Sequence, residues 1–370
     1  MKWIWEHKDW PNFTFDQDRF SKFEIEFHRN AGLIIGSLSG ITTDEIDDLR
    51  VAILSNEAID TSRIEGEILD RDSVQSSIRK NLGLQTDGRR ANPQEAGISQ
   101  MLVNLYKTYS EPLTQEKLFN WHAMIVNGRA DLEVIGGYRI HSDPMQIVSG
   151  RLDRPKVFYE APPSSRIPEE MKSFIAWYNK STEEGLPTMI HAAIAHLYFE
   201  LIHPFEDGNG RIGRAIAEKS LALAAKQPLV TSLSSVIELD KKAYYQALEK
   251  ANGSLNINEW LEYFGTKVLE AQKHVQELIT FVIAKAKFLQ QFDSKLNERQ
   301  KKVILRIFRA GLDGFQGGLS AENYIRITQT SRATATRDLQ ELVEMGALKR
   351  EGKLRHTRYY LDRIGGTQAN

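Results

Sequence analysis

His203-Pro204-Phe205-Glu206-Asp207-Gly208-Asn209-Gly210-Arg211-Ile212-Gly213-Arg214 is the stretch on which the reading of this chain turns. Pro204 and the paired glycines stop a preceding helix and force a tight turn. Gly208 and Gly210 let the backbone take positive φ and come close to a ligand. Their amides, with that of Asn209, converge as an anion-binding nest. A helix over about Gly210 to Ala225 follows, so its free N–H groups and positive dipole end face the same spot. Arg211 and Arg214 stand three residues apart, on one side of its first turn. Two guanidiniums beside free amides suit a polyphosphate. Asp207 is a hard oxygen ligand for a phosphate-bound Mg²⁺. His203, neutral near pH 7, takes a proton from an attacking hydroxyl. Phe205 anchors the loop in the core. The bland alternative is a capped helix with two surface arginines. A His, an Asp, two Gly and two Arg in one run argue instead for a nucleotide-phosphate site.

Outward from that run the chain reads as mostly helical. Thr188 to Ile202 leads into the loop, and Pro168 to Asn179 precedes it. Gly137-Tyr138-Arg139, Gln146-Ile147-Val148 and Lys156-Val157-Phe158-Tyr159 are strand-like pieces punctuated by Gly, Asp and Pro, a hairpin pattern. Thr114 caps one helix, and Asn92-Pro93 followed by Glu95 starts another. Thr43 reads as the N-cap of a helix that ends near Gly66. Phe20, Phe23, Ile25, Phe27 and Leu33 mark an earlier one. Trp3, Trp5 and Trp10 are read as packing residues. Asn258 to Lys287 forms one or two long helices.

The run matches, without departure, the signature of the Fic family, His-Pro-Phe-x-(Asp/Glu)-Gly-Asn-Gly-Arg-x-x-Arg, and the chain resembles that family over roughly 92–265. Gly137-Tyr138-Arg139, Pro162-Pro163 and His191 to Phe199 add to the likeness. The resemblance implies a Fic-type helical bundle with one β-hairpin flap and an enzyme, a protein adenylyltransferase. It moves AMP from ATP onto a Ser, Thr or Tyr hydroxyl of a target protein. His203 is then the general base and Asp207 holds Mg²⁺ against the α- and β-phosphates. Gly208, Asn209 and Gly210 form the anion hole, Arg211 supports the β-phosphate and Arg214 the γ-phosphate. Gly210 stands where the phosphotransferase branch of the family has Lys, which favours nucleotide transfer. Tyr244 and Tyr245 resemble an element on the adenine side, although core packing reads them nearly as well. The hairpin over Arg139 to Tyr159 resembles the flap that positions target side chains; its rim includes Ser149 and Arg151.

Thr61-Ser62-Arg63-Ile64-Glu65-Gly66 resembles the inhibitory motif of self-inhibited members, (Ser/Thr)-x-x-x-Glu-(Gly/Asn). By that similarity Glu65 pairs with Arg214 and withholds it from the γ-phosphate, so that ATP binds unproductively. Taken alone, Gly66 would simply end a helix and Glu65 would be a solvated charge.

The expected domains are 1–91, helical and carrying the inhibitory helix; 92–265, catalytic; 266–295, a connecting helix; and 296–364, a winged helix-turn-helix. The N-terminal stretch resembles the extra domain found on many bacterial Fic proteins. In the last domain Ser331 caps a helix whose Arg332, Thr334, Thr336 and Arg337 are suited to a DNA major groove. Such modules also serve as protein-contact or dimerisation domains. The rival readings are a DNA-binding regulator with a nucleotide-sensing module and a Fic enzyme using another donor or removing AMP.

The 370 residues leave room for two or three domains, and 41% hydrophobic content supplies cores for them. A net charge of -1 selects neither nucleic acid nor membrane. The absence of cysteine excludes disulfides, thiolate zinc sites and a cysteine nucleophile. Charges interrupt the N-terminal apolar stretch at once, unlike a signal peptide, and no window is apolar enough to span a bilayer. A cytoplasmic protein is expected, with a target protein, the chain itself, a second copy or DNA as candidate partners.

Overall fold

In the computed structural model, residues 3–39, 41–151, 154–228, 231–312 and 317–362 are described, leaving aside the side chains at 148–156 and 355. Two compact units result. The first takes the residues up to Ser39 with Arg50–Val275; the second takes the stretch just before Arg50 and the chain from Gln276 on.

The first unit is built on a pair of buried helices. Its helices are α1 (Ser21–Leu38), α2 (Thr43–Ile64, from Arg50), α3 (Arg71–Leu82), α4 (Pro93–Thr108), α5 (Gln115–Ile125), α6 (Ile167–Glu183), α7 (Thr188–Ile202), α8 (Asn209–Ala225), α9 (Leu233–Leu239), α10 (Lys241–Ala251) and the first part of α11 (Asn258–Phe292). Every residue of α7 from Met189 to Ile202 is buried, as for a helix apolar on all sides. α8 is buried from Arg211 to Ala222 and lies against α7. Trp121, Met171, Phe174, Phe199, Phe205 and Ile212 knit these two to α5 and α6 in one core.

Local side-chain chemistry sets the helix starts. Asn92 and Glu95 form a reciprocal capping box at α4, and Thr114 accepts from the Lys117 N–H at α5. At α2 the Glu45 N–H donates to Thr42 Oγ1 at 3.3 Å, so the capping side chain is Thr42, one residue before the expected Thr43. The hairpin pairs β1 (Gln146–Arg151) with β2 (Arg154–Glu160) antiparallel, with an irregularity between Ile147 and Val148. Gly137-Tyr138-Arg139, expected as a strand, is irregular. Its one regular feature is a backbone bond from Arg139 N to the Pro204 carbonyl at 2.9 Å, which ties it to the loop after α7 rather than to a sheet. The N-terminal tryptophans pack as expected: Trp10 meets Tyr198 edge-on at 5.2 Å and donates to Glu170, and Trp5 donates to the Glu160 carbonyl.

The second unit holds α12 (Glu298–Arg309), α13 (Ala321–Thr328), α14 (Arg332–Glu344) and an antiparallel hairpin of β3 (Leu348–Glu351) and β4 (Arg358–Leu361). Val303, Ile304, Tyr324, Leu339 and Leu342 form its core, with Phe288 and Phe292 from the end of α11. Asp338 is buried and accepts from Arg299 and Tyr324. Ser320 and Ser331 cap α13 and α14. α11 is one unbroken helix. Among the described residues, no helix is long and apolar enough to cross a membrane.

Candidate active site

α7 stops at His203, whose φ of 50° and ψ of 61° place a non-glycine residue in the left-handed region. Such backbone costs about 1–3 kcal/mol and persists only where the surroundings dictate it. Here they do. Arg139 is 1% exposed, and its Nε donates to the His203 carbonyl at 2.8 Å. Its other nitrogens reach the Pro162 carbonyl and Ser164 Oγ, which joins the base of the hairpin to the loop. Asn209 Oδ1 accepts from Phe205 N at 3.0 Å and Asn209 Nδ2 donates back to the Phe205 carbonyl at 2.8 Å. The Phe205 ring lies buried and stacked on His122 at 4.2 Å. Glu206 accepts the N–H groups of Glu133 and Val134. Gly208, at φ 84°, starts α8, and a β-carbon there would run into Ile125.

The loop thus places His203 just before the N-terminus of α8. His203 Nδ1 lies 3.3 Å from the Glu200 carbonyl, which assigns the proton to Nδ1 and leaves Nε2 basic. Burial pushes the imidazole down to about 4, against the Glu200 carbonyl and with help from Arg139. It is therefore neutral at physiological pH. The Glu200 carboxyl, 3.9 Å from Nδ1, is itself pushed up to about 8 by burial.

Both arginines of the run are buried and both are engaged. Arg214 Nη2 donates to Glu65 Oε1 at 2.7 Å and to the Thr61 carbonyl at 3.0 Å, and Nε donates to Thr61 Oγ1 at 2.8 Å. Burial would lower this guanidinium; the Glu65 carboxylate outweighs it and holds the charge. Among the described residues Arg214 Nη1 is buried without a hydrogen-bond partner. Arg211 Nη1 donates to both oxygens of Glu67, at 3.0 and 2.9 Å, and Nη2 to Asp207 at 3.3 Å. Asp207 also accepts from Arg129 Nη1 at 2.5 Å. Burial pulls the Asp207 carboxyl upward, but Arg211, the Gly208 N–H and Arg129 together hold it below its usual range.

The structure therefore brings His203, Asp207, Gly208, Asn209, Gly210, Arg211, Arg214 and Glu65 together. Asn209 contributes its backbone N–H to the helix start, its side chain being engaged by Phe205. Tyr244 is buried beneath, its hydroxyl 2.9 Å from His196 Nε2, whereas Tyr245 is 43% exposed and donates to the Ile64 carbonyl. His191 and His196 are buried hydrogen-bonding residues. Sequence reasoning passed over Glu67 and Arg129; a carboxylate two residues beyond Glu65, across Gly66, was the available signal for the first. The hairpin's Ser149 and Arg151 side chains lie outside the described residues. Among the described residues no cluster of three or more His, Cys, Asp or Glu forms a self-sufficient metal site. Asp207, an ionised carboxylate just before the N-terminus of α8, suits a Mg²⁺ that arrives on nucleotide phosphates, because that ion takes one or two protein carboxylates and completes its shell from phosphate and water.

Comparison with known proteins bears on the family of one segment and on the fold. Residues 112–221 match the family model described as Fic/DOC family, and residues 3–84 match one described as a domain of unknown function, DUF4172. The chain is similar to the protein adenylyltransferase Fic of Nematostella vectensis, 23% identical over 198 residues, 52% of this chain and 42% of that protein. It is also similar to the protein adenylyltransferase fic-1 of Caenorhabditis elegans, 25% identical over 256 residues, 67% of this chain and 46% of that protein. The chain spans less than half the length of these two relatives. Among solved structures, a Fic family protein from Desulfovibrio desulfuricans aligns with a TM-score of 0.52 at 20% identity, over 96% of this chain and 99% of that one. A Fic domain containing signaling protein from Bacteroides thetaiotaomicron aligns with a TM-score of 0.51 at 19% identity, over 66% and 95%. At such identity these likenesses concern the fold.

Proposed function

We propose that this chain, which carries a Fic/DOC domain at residues 112–221, is a protein adenylyltransferase held off by its own Glu65. AMP passes from ATP to a Ser, Thr or Tyr hydroxyl. The hydroxyl oxygen bonds to the α-phosphorus, the bond from that phosphorus to the bridging oxygen breaks, and pyrophosphate leaves with the electron pair. The hydroxyl proton goes to His203 Nε2. The observation that carries this reading is the placement of a neutral histidine in the same braced loop as the N-terminus of a helix bearing Arg211 and Arg214. Free N–H groups and guanidiniums at that end stabilise charge on transferring phosphates. Arg211 supports the β-phosphate and Arg214 the γ-phosphate. Asp207, once Arg129 yields it, would hold a Mg²⁺ bound to the nucleotide, which would supply neutralisation of phosphate charge. Tyr245, half-exposed, is the better placed of the two tyrosines to meet an adenine.

The brake is the Glu65–Arg214 pair. A partly buried carboxylate on a buried guanidinium competes directly with a γ-phosphate, and about 1.4 kcal/mol is tenfold in a rate. The β1–β2 hairpin offers strand addition to an extended target segment. That target is another protein or the chain itself, met in the cytoplasm.

Incubating the Glu65→Gly protein in a cell lysate with ATP labelled on its α-phosphate tests the reading. Labelled protein is expected well over tenfold above parent, with none from His203→Ala. Equal labelling by the parent removes the brake; full labelling by His203→Ala removes the base.

A second reading, DNA binding by the second unit as a winged helix-turn-helix, is favoured by one observation. Arg332, Thr336 and Arg337 are exposed on the first turns of α14. Salt-dependent DNA binding without any α-phosphate transfer, even in Glu65→Gly, would favour a nucleotide-sensing regulator instead.

A further inference from the structure

The turn after α2 delivers two carboxylates. Gly66 takes φ 87°, its N–H donates to the Arg63 carbonyl, and the Glu67 N–H closes back on the Ser62 carbonyl at 2.9 Å. This is a helix-ending turn in which glycine supplies the left-handed residue. It fixes Glu65 and Glu67 relative to each other on either side of Gly66. They meet two arginines one turn of α8 apart: Glu65 meets Arg214, and Glu67 meets Arg211 through both oxygens, at 3.0 and 2.9 Å. The Arg211 side chain is 3% exposed and that of Glu67 21%.

We propose that Glu67 is a second internal anion, seated on the arginine that serves the β-phosphate. One rigid turn then covers both guanidiniums, and nucleotide binding is weakened at the β-phosphate as well as at the γ-phosphate. This rests on the phosphate roles proposed above for Arg211 and Arg214.

Three observations support it. The contact is charge-assisted, and the two carboxylate oxygens share Arg211 Nη1, a donor that a phosphate oxygen would otherwise take. Arg211 also reaches Asp207, which Arg129 holds from its other side, so the metal-binding carboxylate is tied into the same closed network. And the two carboxylates share a backbone turn, so releasing one by moving the turn releases the other. A change of side chain at 65 alone does not: it frees Arg214 and leaves Arg211 covered.

The test is binding of ADP with Mg²⁺ to the full chain, by calorimetry, which needs no transfer. ADP lacks the γ-phosphate, so it reports on Arg211 more than on Arg214. Glu67→Ala is expected to bind ADP about tenfold more tightly than the parent or better. Glu65→Gly alone is expected to gain less, and the double variant at least as much as Glu67→Ala. Equal ADP affinity for parent and Glu67→Ala, at equal melting temperature, overturns the proposal. Should Glu67→Ala fail to fold, Glu67→Gln, which keeps the length and removes the charge, carries the same expectation and the same refutation. The transfer reading fails separately. ADP tightened by Glu67→Ala with no α-label transferred by the Glu65→Gly/Glu67→Ala double variant sinks adenylyl transfer and leaves the second latch standing. Transfer by Glu65→Gly with no effect of Glu67→Ala on ADP does the reverse.

Discussion

The Glu65 carboxylate occupies the space that a β-carbon on residue 210 would need, so Glu65 and Gly210 share one small volume at the start of α8. The next neighbour of such a carbon is Arg214 Nη1 at 3.1 Å, the end of a flexible side chain. Gly210→Ala should therefore destabilise the parent by about 1–3 kcal/mol through overpacking. In the Glu65→Gly background only the Arg214 side-chain end must give by a few tenths of an ångström, and helix propensity favours the alanine by about 1 kcal/mol. A double-mutant cycle by urea unfolding measures the coupling. Additive effects would show that the two residues do not compete for that volume.

Burial holds His203 near 4, so the imidazole is a free base across the physiological range. Glu65 is among the groups that raise it, and its removal moves the value down. Transfer by Glu65→Gly should accordingly show no acid limb at the ordinary histidine value of about 6.5. The expected profile of kcat/KM is flat from pH 7 to pH 5.5. A loss of half the rate near pH 6.5 would contradict the assignment of His203 as a buried neutral base.

Much of this site was legible because its signals are local. Asn92, Thr114 and Ser331 each satisfy a backbone N–H three residues on, and such caps are visible in a linear sequence. The loop from His203 to Arg214 likewise carries its own turn, helix start and charges. What escaped reading depends on packing between distant segments. Arg211 meets Glu67 across 144 residues, and Arg129 meets Asp207 across 78. No periodicity marks either pair. Gly137-Tyr138-Arg139 has the composition of a strand, yet Arg139 is drawn into the interior by carbonyls of the catalytic loop and the hairpin base. Asn209 fits an anion nest by composition, while its side chain closes both hydrogen-bonding groups of Phe205.

A pair of buried carboxyls makes the fold sensitive to alkali. Burial pushes Glu57 of α2 up to about 8, with the Glu218 charge on α8 adding to it, and burial raises Glu218 as well. Glu57 accepts from the Ser234 N–H at 3.0 Å, and Glu218 accepts from the Leu233 N–H at 2.6 Å. With the folded value above the unfolded one near 4.5, the native chain holds extra protons between those limits. Stability from this source is complete below about pH 4.5 and declines as pH rises toward 8. The urea midpoint of the parent should thus fall between pH 5.5 and 8.5, and that of Glu57→Gln should fall less. Parallel curves for the two proteins would assign the pH dependence elsewhere.

Asn209 separates bracing from charge. Its amide both accepts from and donates to the Phe205 backbone in a position 2% exposed. Asn209→Ala leaves a buried N–H and a buried carbonyl without that partner, and is expected to cost about 1–3 kcal/mol. Asn209→Asp keeps an acceptor for the Phe205 N–H but cannot, when ionised, donate to the carbonyl. It also places a negative charge at the end of α8 where phosphates are to be received. If the side chain acts only by holding the loop, the two variants should lose comparable stability in urea. The aspartate should then bind ADP at least about tenfold more weakly than the alanine, because like charges oppose each other at a buried anion site. Unchanged unfolding of Asn209→Ala would mean that Phe205 does not need the brace. Equal ADP affinity for both variants would place the phosphates away from the first turn of α8.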